Sequence, residues 1–299
     1  LWTERAAIPM DHMSVFGRGT FGYADDPLVM ENTTTGEQVK VIDSQYSFYL
    51  SAGIAFLDRF HVAGMLPLYI QSGRDTGSVR PDGFAPGNPL IDARVNILDD
   101  SDPIQLGAAA SFALPINGNQ YVADSSPKGG PRVLLGKSFG EEKRSFVALN
   151  TGINFRSEES LGNVNAGSEF TFGAGVNYAF WGALAATAEV TGKTSFTNAF
   201  QSGETPVGLL FGLRFAPESW SVAAGVGPGI SSGYGSPDER VLVSGGLRLN
   251  RADRKDPAPE PAPVPEKKPE PVVVAAVAPV PEKNPCEVTP LSADPKQCS

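Results

Sequence analysis

The sequence predicts an all-β chain: a transmembrane up-and-down antiparallel β-barrel of about twelve strands, followed by an extended Pro-rich tail. Three observations predict it. Across roughly the first 250 residues, large apolar side chains recur with period two, which places them on one face of a strand. Long and short connections alternate between these segments, as they do in membrane barrels with short turns at one rim and longer loops at the other. No window approaches the ~20 consecutive apolar residues of a membrane helix, so a membrane-spanning chain of this composition has to cross with strands.

Leu1 to Met13 is a short polar lead-in. The first strand alternates Val15, Gly17, Gly19, Phe21 and Tyr23 with Phe16, Arg18 and Thr20, and Asp25 to Gln38 (DDPLVMENTTTGEQ) reads as a long polar loop. The second strand sets Ile42, Ser44, Tyr46, Phe48, Leu50, Ala52, Ile54 and Phe56 opposite Asp43, Gln45, Ser47 and Ser51, then turns at Leu57-Asp58-Arg59. The third sets Phe60, Val62, Leu66, Leu68 and Ile70 against His61, Ala63 and Tyr69, before a Gly-, Asp- and Pro-rich loop from Ser72 to Asn88. Leu90 to Leu98 alternates Ile91, Ala93, Val95 and Ile97 with Asp92, Arg94 and Asn96, and turns over Asp99 to Asp102. Ile104, Leu106, Ala108, Ala110, Phe112 and Leu114 mark the fifth strand, and Asn117 to Gly130 is long again. Arg132 to Phe139 is read as a strand, and a short charged turn leads to Val147, Leu149, Thr151, Ile153 and Phe155.

After a loop from Ser157 to Ala166, Ser168 to Lys193 shows the rule within one hairpin. Phe170, Phe172, Val176, Tyr178 and Phe180 face away from Glu169, Thr171, Gly173, Gly175 and Asn177. Beyond Trp181-Gly182, Leu184, Ala186, Ala188 and Val190 face away from Ala185, Thr187, Glu189, Thr191 and Lys193. The polar face is mostly small and the turn is crowded with aromatics, which suits a lipid-facing pair; a soluble barrel turns its apolar face inward. Phe196 to Thr205 is a loop, and Val207 to Phe215, Trp220 to Val226 and Arg240 to Leu249 complete the strands, separated by a turn at Ala216 to Ser219 and a loop at Ser231 to Asp238. Seven aromatics (Phe56, Phe60, Phe139, Phe180, Trp181, Phe215 and Trp220) fall at the short joins, the level of an interfacial girdle.

The net charge of −9, with no basic cluster in the strand region, speaks against a nucleic-acid partner. The two histidines, His12 ahead of the first strand and His61 at the start of the third, do not form a catalytic pair, and Cys and His show no metal-ligand spacing. An enzyme, a metal or a cofactor is therefore not expected. Gly225-Val226-Gly227-Pro228-Gly229 has no following helix and no Lys-Ser or Lys-Thr, so it reads as a strand end and not a phosphate loop. Beginning at Leu1, the chain reads as a mature, processed product.

The composition breaks at Arg251: the last 49 residues hold 12 of the 26 prolines, in runs such as PAPEPAPVPEKKPEP. The expected division is a barrel at 1–250, a polyproline-type linker at 251–285 and a short Cys-bounded segment at 286–299. Cys286 and Cys298 are expected to pair in an oxidising compartment.

GYADDPLV (22–29), LDRFHVAGMLPLYIQSG (57–73), IDARVNIL (91–98), FALPIN (112–117) and GYGSPDERVLVSGGLRL (233–249) together resemble bacterial outer-membrane proteins of the OmpA type, in which a barrel of about twelve strands precedes a Pro-rich periplasmic linker. The resemblance implies a bacterial outer-membrane location with both termini periplasmic, in contact with outer-membrane lipid and lipopolysaccharide. In that family the linker continues into calcium-binding repeats and a peptidoglycan-binding domain, whereas here it is followed by CEVTPLSADPKQC, without alternating aspartates. The resemblance favours an envelope structural or anchoring protein whose residues 251–299 hold peptidoglycan or a periplasmic or envelope protein. The alternative is a passive diffusion channel or transporter, lined by the ionisable residues of the polar face: Arg18, Asp43, Asp92, Arg94, Glu169, Glu189, Lys193, Arg214, Arg240 and Arg248. On the first reading these groups pair across a filled lumen; on the second they select solutes.

Overall fold

The computed structural model describes residues 5–8, 11–31, 38–74, 81, 83–116, 122–161, 164–197, 199–201, 204–231 and 236–249. The linker, Cys286 and Cys298 lie outside them. The strands are β1 (Val15–Glu31), β2 (Gln38–Phe56), β3 (Phe60–Gly73), β4 (Gly83–Pro86), β5 (Leu90–Leu98), β6 (Gln105–Ala113), β7 (Lys128–Phe139), β8 (Ser145–Asn154), β9 (Glu159–Leu161), β10 (Val164–Ala166), β11 (Glu169–Trp181), β12 (Leu184–Ser195), β13 (Val207–Phe215), β14 (Trp220–Pro228) and β15 (Glu239–Leu249). Twelve of them form a ring in which each pairs antiparallel with the next: β1, β2, β3, β5, β6, β7, β8, β11, β12, β13, β14 and β15. The ring closes where Val15–Asp25 of β1 pairs without interruption with Leu249–Glu239 of β15. Closure leaves no sheet edge unpaired, which is what a strand protein needs where no water can satisfy its backbone. The short β4 pairs with the end of β3, and β9 with β10, inside two of the long joins.

The alternation seen in sequence becomes an inside-out molecule. Leu50, Ile91, Phe112, Leu149, Tyr178, Phe211 and Leu247 are exposed on the outer surface, while their neighbours Ser47, Arg94, Asn96, Asn177, Thr187 and Glu189 are buried within. Among the described residues the buried apolar side chains are mostly scattered alanines, and they gather in one small cluster, Ala6, Ala109 and Leu134. Stability therefore rests on the backbone ladder and on lipid contact.

The girdle lies at the short-join rim. Phe56 stacks on Phe60 at 5.5 Å, and Phe215 meets Trp220 edge-on at 5.4 Å. At the other end Tyr46 packs against Tyr23 and Phe21, at 5.2 and 6.2 Å. The ten residue steps from Tyr46 to Phe56 span about 33 Å of strand, or about 25 Å along the membrane normal at the ~40° tilt of such barrels. That height matches the apolar band of an outer membrane. Trp181 is 79% exposed at the two-residue turn Gly182-Ala183, where Gly182 has φ +52, and Trp220 is 44% exposed. Brominated lipids are expected to quench the fluorescence of the reconstituted barrel strongly, and Trp181→Phe to remove a large share of that quenching. Quenching by aqueous iodide instead would contradict the placement.

Four loop expectations are corrected. Asp25 to Gln38 is mostly strand: β1 and β2 continue as a ribbon to Glu31↔Gln38, with the Lys40 ammonium bridging Asp26. Polar residues extend a ladder as well as apolar ones once the chain has left the lipid, so polarity there marked water, not a loop. In the same way Ser72–Asn88 contains β4, Ser157–Ala166 contains β9 and β10, and β7 starts at Lys128, inside the expected loop Asn117 to Gly130. The join between β1 and β2 shrinks to residues 32–37, as long as the join at 99–104, so the contrast of join lengths is less strict than the sequence implied. Ile42 was expected on the outer face but is 3% exposed, because a register shift between Ile42 and Ser44 reverses the alternation.

Candidate functional site: the barrel lumen

The site is the inside of the ring, so its shape follows from the inward residues of each strand. Glycine decides it. A Cβ at Gly53 would lie 2.4 Å from the Phe16 ring, one at Gly152 2.7 Å from Arg132 Cγ, one at Gly22 2.9 Å from Leu242 Cδ2, and one at Gly225 3.2 Å from Leu210 Cγ. Phe16, Arg132, Leu242 and Leu210 thus lie across glycines of the neighbouring strands instead of reaching over the lumen. On β14 the inward positions are Ser221, Ala223, Gly225 and Gly227, with nothing larger than a hydroxymethyl.

The lead-in, expected to be a polar approach to the first strand, lies along the inner wall at the short-join rim. Arg94 Nη2 donates to the carbonyls of both Arg5 and Ala6, and Asn96 Nδ2 donates to the carbonyl of Ile8 at 3.1 Å. Ala6 is fully buried, its carbonyl and Cβ close to Gly107 and Gly136, where only glycine leaves room. Arg5 Nη2 reaches Asp100 Oδ2 and Ser138 Oγ, both at 2.7 Å, and its guanidinium lies 5.5 Å from the Phe146 ring centre. Further along, Met13 N donates to the Ala55 carbonyl at 2.9 Å, and Leu57 N donates to His12 Nδ1 at 2.9 Å. Residues 5–8 and 11–13 thus form a strap against β2, β5, β6 and β7, narrowing one side of the mouth.

At the long-join end a second group of charges braces the wall. Lys193 Nζ is 2.9 Å from Glu169 Oε1, Arg156 Nη1 is 3.8 Å from the same oxygen, Arg156 Nη2 is 2.5 Å from Asp124, and Lys128 is 2.6 Å from Asp124. Between the two ends Arg132 Nη2 meets Asp92 Oδ2 at 2.7 Å.

Strand by strand, the expected lining residues fall as follows. Arg18 on β1, Asp92 and Arg94 on β5, Glu169 on β11, Glu189 and Lys193 on β12, Arg214 on β13, and Arg240 and Arg248 on β15 all alternate with outward apolar neighbours. Asp43 differs: it is exposed at the register shift in β2, beyond the aromatic level. The structure brings together Glu169 with Lys193, and Arg94 with the strap, but not the ten as one ring. Sequence reasoning missed Arg5, Lys128, Arg132, Asp124, Arg156 and Asp100. Arg132 and Lys128 were within reach, since they share the even parity opposite Val133 and Leu135; the other four lie outside strands, where period two carries no information. On inward strand positions among the described residues there are eight basic side chains, the six already named with Lys128 and Arg132, against four acidic ones, Asp26, Asp92, Glu169 and Glu189, of which Asp26 is bridged by Lys40.

No protein-family model matches the chain, and no curated protein sequence does. Solved structures do. An outer membrane channel of the COG4313 group from Pseudomonas putida F1 is similar with a TM-score of 0.61 and 13% identity, over 80% of this chain and 97% of that one. The NanC porin is similar with a TM-score of 0.51 and 8% identity, over 79% and 99% of the two chains. At such identities the likeness speaks for architecture: the fold is the closed twelve-stranded antiparallel barrel seen in outer-membrane channels.

Proposed function

We propose that this protein is a passive diffusion channel for small hydrophilic solutes in the bacterial outer membrane, with the short-join rim and both ends of the barrel on the periplasmic side. One observation carries the reading: Phe16, Leu210 and Leu242 lie over glycines of adjacent strands, and β14 presents nothing inward larger than a hydroxymethyl, so these positions do not reach across the lumen. Twelve strands stand between the filled eight-stranded barrel and the open sixteen-stranded porin, and in that range inward side-chain size decides whether water passes. The fold shared with outer-membrane channels supports the same reading. The anchoring role was favoured on the tail and on the OmpA-type resemblance; the tail lies outside the described residues, no family model supports the resemblance, and the ion pairs run along the wall instead of across a filled lumen. Swelling of proteoliposomes in neutral sugars tests the proposal. Swelling should be fast in a pentose and fall away as the sugar grows to a trisaccharide; no swelling in any sugar would contradict it.

A further inference from the structure

We infer that the inner wall of β1, β2 and β3 carries a binding site for a saccharide ring, so that the solutes of this channel include neutral sugars that pause on their way through. This rests on the channel reading above and names a substrate class for it. The base of the site is an aromatic corner. Tyr49 of β2 and Tyr69 of β3 lie on the inward face, and their rings meet edge-on at 6.1 Å with an interplanar angle of 88°. Tyr69 is backed by the segment that follows β4: Gly87 N donates to the Pro67 carbonyl at 2.9 Å, and a Cβ at Gly87 would lie 2.7 Å from Tyr69 Cε2. On its other side Tyr49 stands opposite Thr20 of β1, and the same level continues through Ser244 of β15 to Ala223 of β14. These low side chains, two of them hydroxylated, leave room for a ring laid against Tyr49.

The next inward register pair beyond Tyr69, toward the long joins, is Gln45 with Gln71. Gln71 Nε2 donates to Gln45 Oε1 at 2.7 Å, and Gln71 is 4% exposed, so the pair is held in place. That bond leaves Gln45 Nε2 and Gln71 Oε1, a donor and an acceptor on one neutral pair. A hydroxyl is itself both donor and acceptor, so the pair complements it without any charge. Tyr69 and Gln71 are two residues apart on β3, about 7 Å, within reach of one sugar ring and its hydroxyls. A sugar ring has a C–H face, which suits the negative face of an aromatic ring, and a rim of hydroxyls, which suits amides and small hydroxylated side chains. Aromatic surface with a few fixed polar groups is the ordinary make-up of a small-molecule site. Arg240 of β15 lies at the amide level but beyond Ala24 of β1, so a ring resting on Tyr49 meets the amides before it meets that charge.

The experiment follows the ion current through the full chain in a planar bilayer as maltose is added on one side. Maltose should lower the current in a saturable way, whereas a polyethylene glycol of similar size should lower it only in proportion to the volume it fills. Tyr49→Ala should raise the half-blocking concentration about tenfold, and Tyr49→Phe, which keeps the ring, should stay within about twofold of the wild type. Gln45→Ala should raise it roughly fivefold, the worth of one neutral hydrogen bond, and it carries the test if unboiled gel mobility shows that Tyr49→Ala has not folded. A current that maltose lowers no more than the glycol does, or a block that neither alanine variant weakens, overturns the sugar site and leaves the channel reading standing. Absence of any current overturns both.

Discussion

Deletion of residues 1–8 is expected to raise the single-channel conductance at least about twofold, because conduction is set by the narrowest point and the strap occupies one side of the mouth. Arg94→Ala should reproduce much of the effect without shortening the chain. Arg94 holds the strap through two charge-assisted bonds to the Arg5 and Ala6 carbonyls. A bond involving a charged group contributes about 1.5 to 3 kcal/mol, so losing both weakens docking by at least about 3 kcal/mol, more than a hundredfold in the docked-to-released ratio. Asn96→Ala, which removes the single 3.1 Å bond to Ile8, should have a smaller effect in the same direction. Recordings of Arg94→Ala should show either a larger steady conductance or frequent steps to a larger level. Unchanged conductance in both the deletion and Arg94→Ala would mean that the strap does not restrict the passage.

The second large effect is expected at the other end of the barrel. Arg156 is 10% exposed and lies between Asp124, 8% exposed, and Glu169, 3% exposed. Arg156→Ala removes a guanidinium from two buried carboxylates and leaves Lys128 and Lys193 as their remaining partners in this group. Removing one member of a buried ion pair costs about 3 kcal/mol when the other is left unmatched; with one lysine still on each carboxylate, the expected loss is about half of that. The variant should convert from the fast-migrating folded form to the slow unfolded form at a distinctly lower temperature than the wild type. Arg144→Ala is the control, because that guanidinium and its partner Glu142 are 44% and 68% exposed and its loss should change little. Equal transition temperatures for the Arg156 and Arg144 variants would show that the network does not brace the barrel.

The membrane-spanning part of the fold was legible in the sequence because lipid imposes period two on every strand it touches. Leu90–Leu98 was delimited to the residue, and the aromatics at the short joins marked the rim. Legibility stopped where lipid stops. Beyond Asp25 the described side chains of β1 lose their alternation, Asp26 and Pro27 being buried in succession, and a ladder of backbone bonds leaves no trace in residue type. The bulge between Ile42 and Ser44 has the same cause and displaced Asp43 from the expected face.

The site was legible by halves. Parity marked Arg94, Glu169, Lys193 and Arg214, whose charges contrast with apolar neighbours. The strap was not legible, for Arg-Ala-Ala-Ile has no periodicity, and its place depends on glycines a hundred residues away at Gly107 and Gly136. The many glycines were read as the small polar face of barrel strands. Their further role, as beds on which Phe16, Arg132, Leu210 and Leu242 lie flat, depends on which residue of the neighbouring strand stands opposite, and that register is not written in either strand alone.

The most direct test of the channel is the current carried by single molecules of the full chain in a planar bilayer. The structure predicts discrete, stepwise insertions whose current rises linearly with voltage, small in the wild type and larger once residues 1–8 are removed. A bilayer that stays as tight as a protein-free one for both chains, with gel mobility showing both to be folded, would contradict the channel.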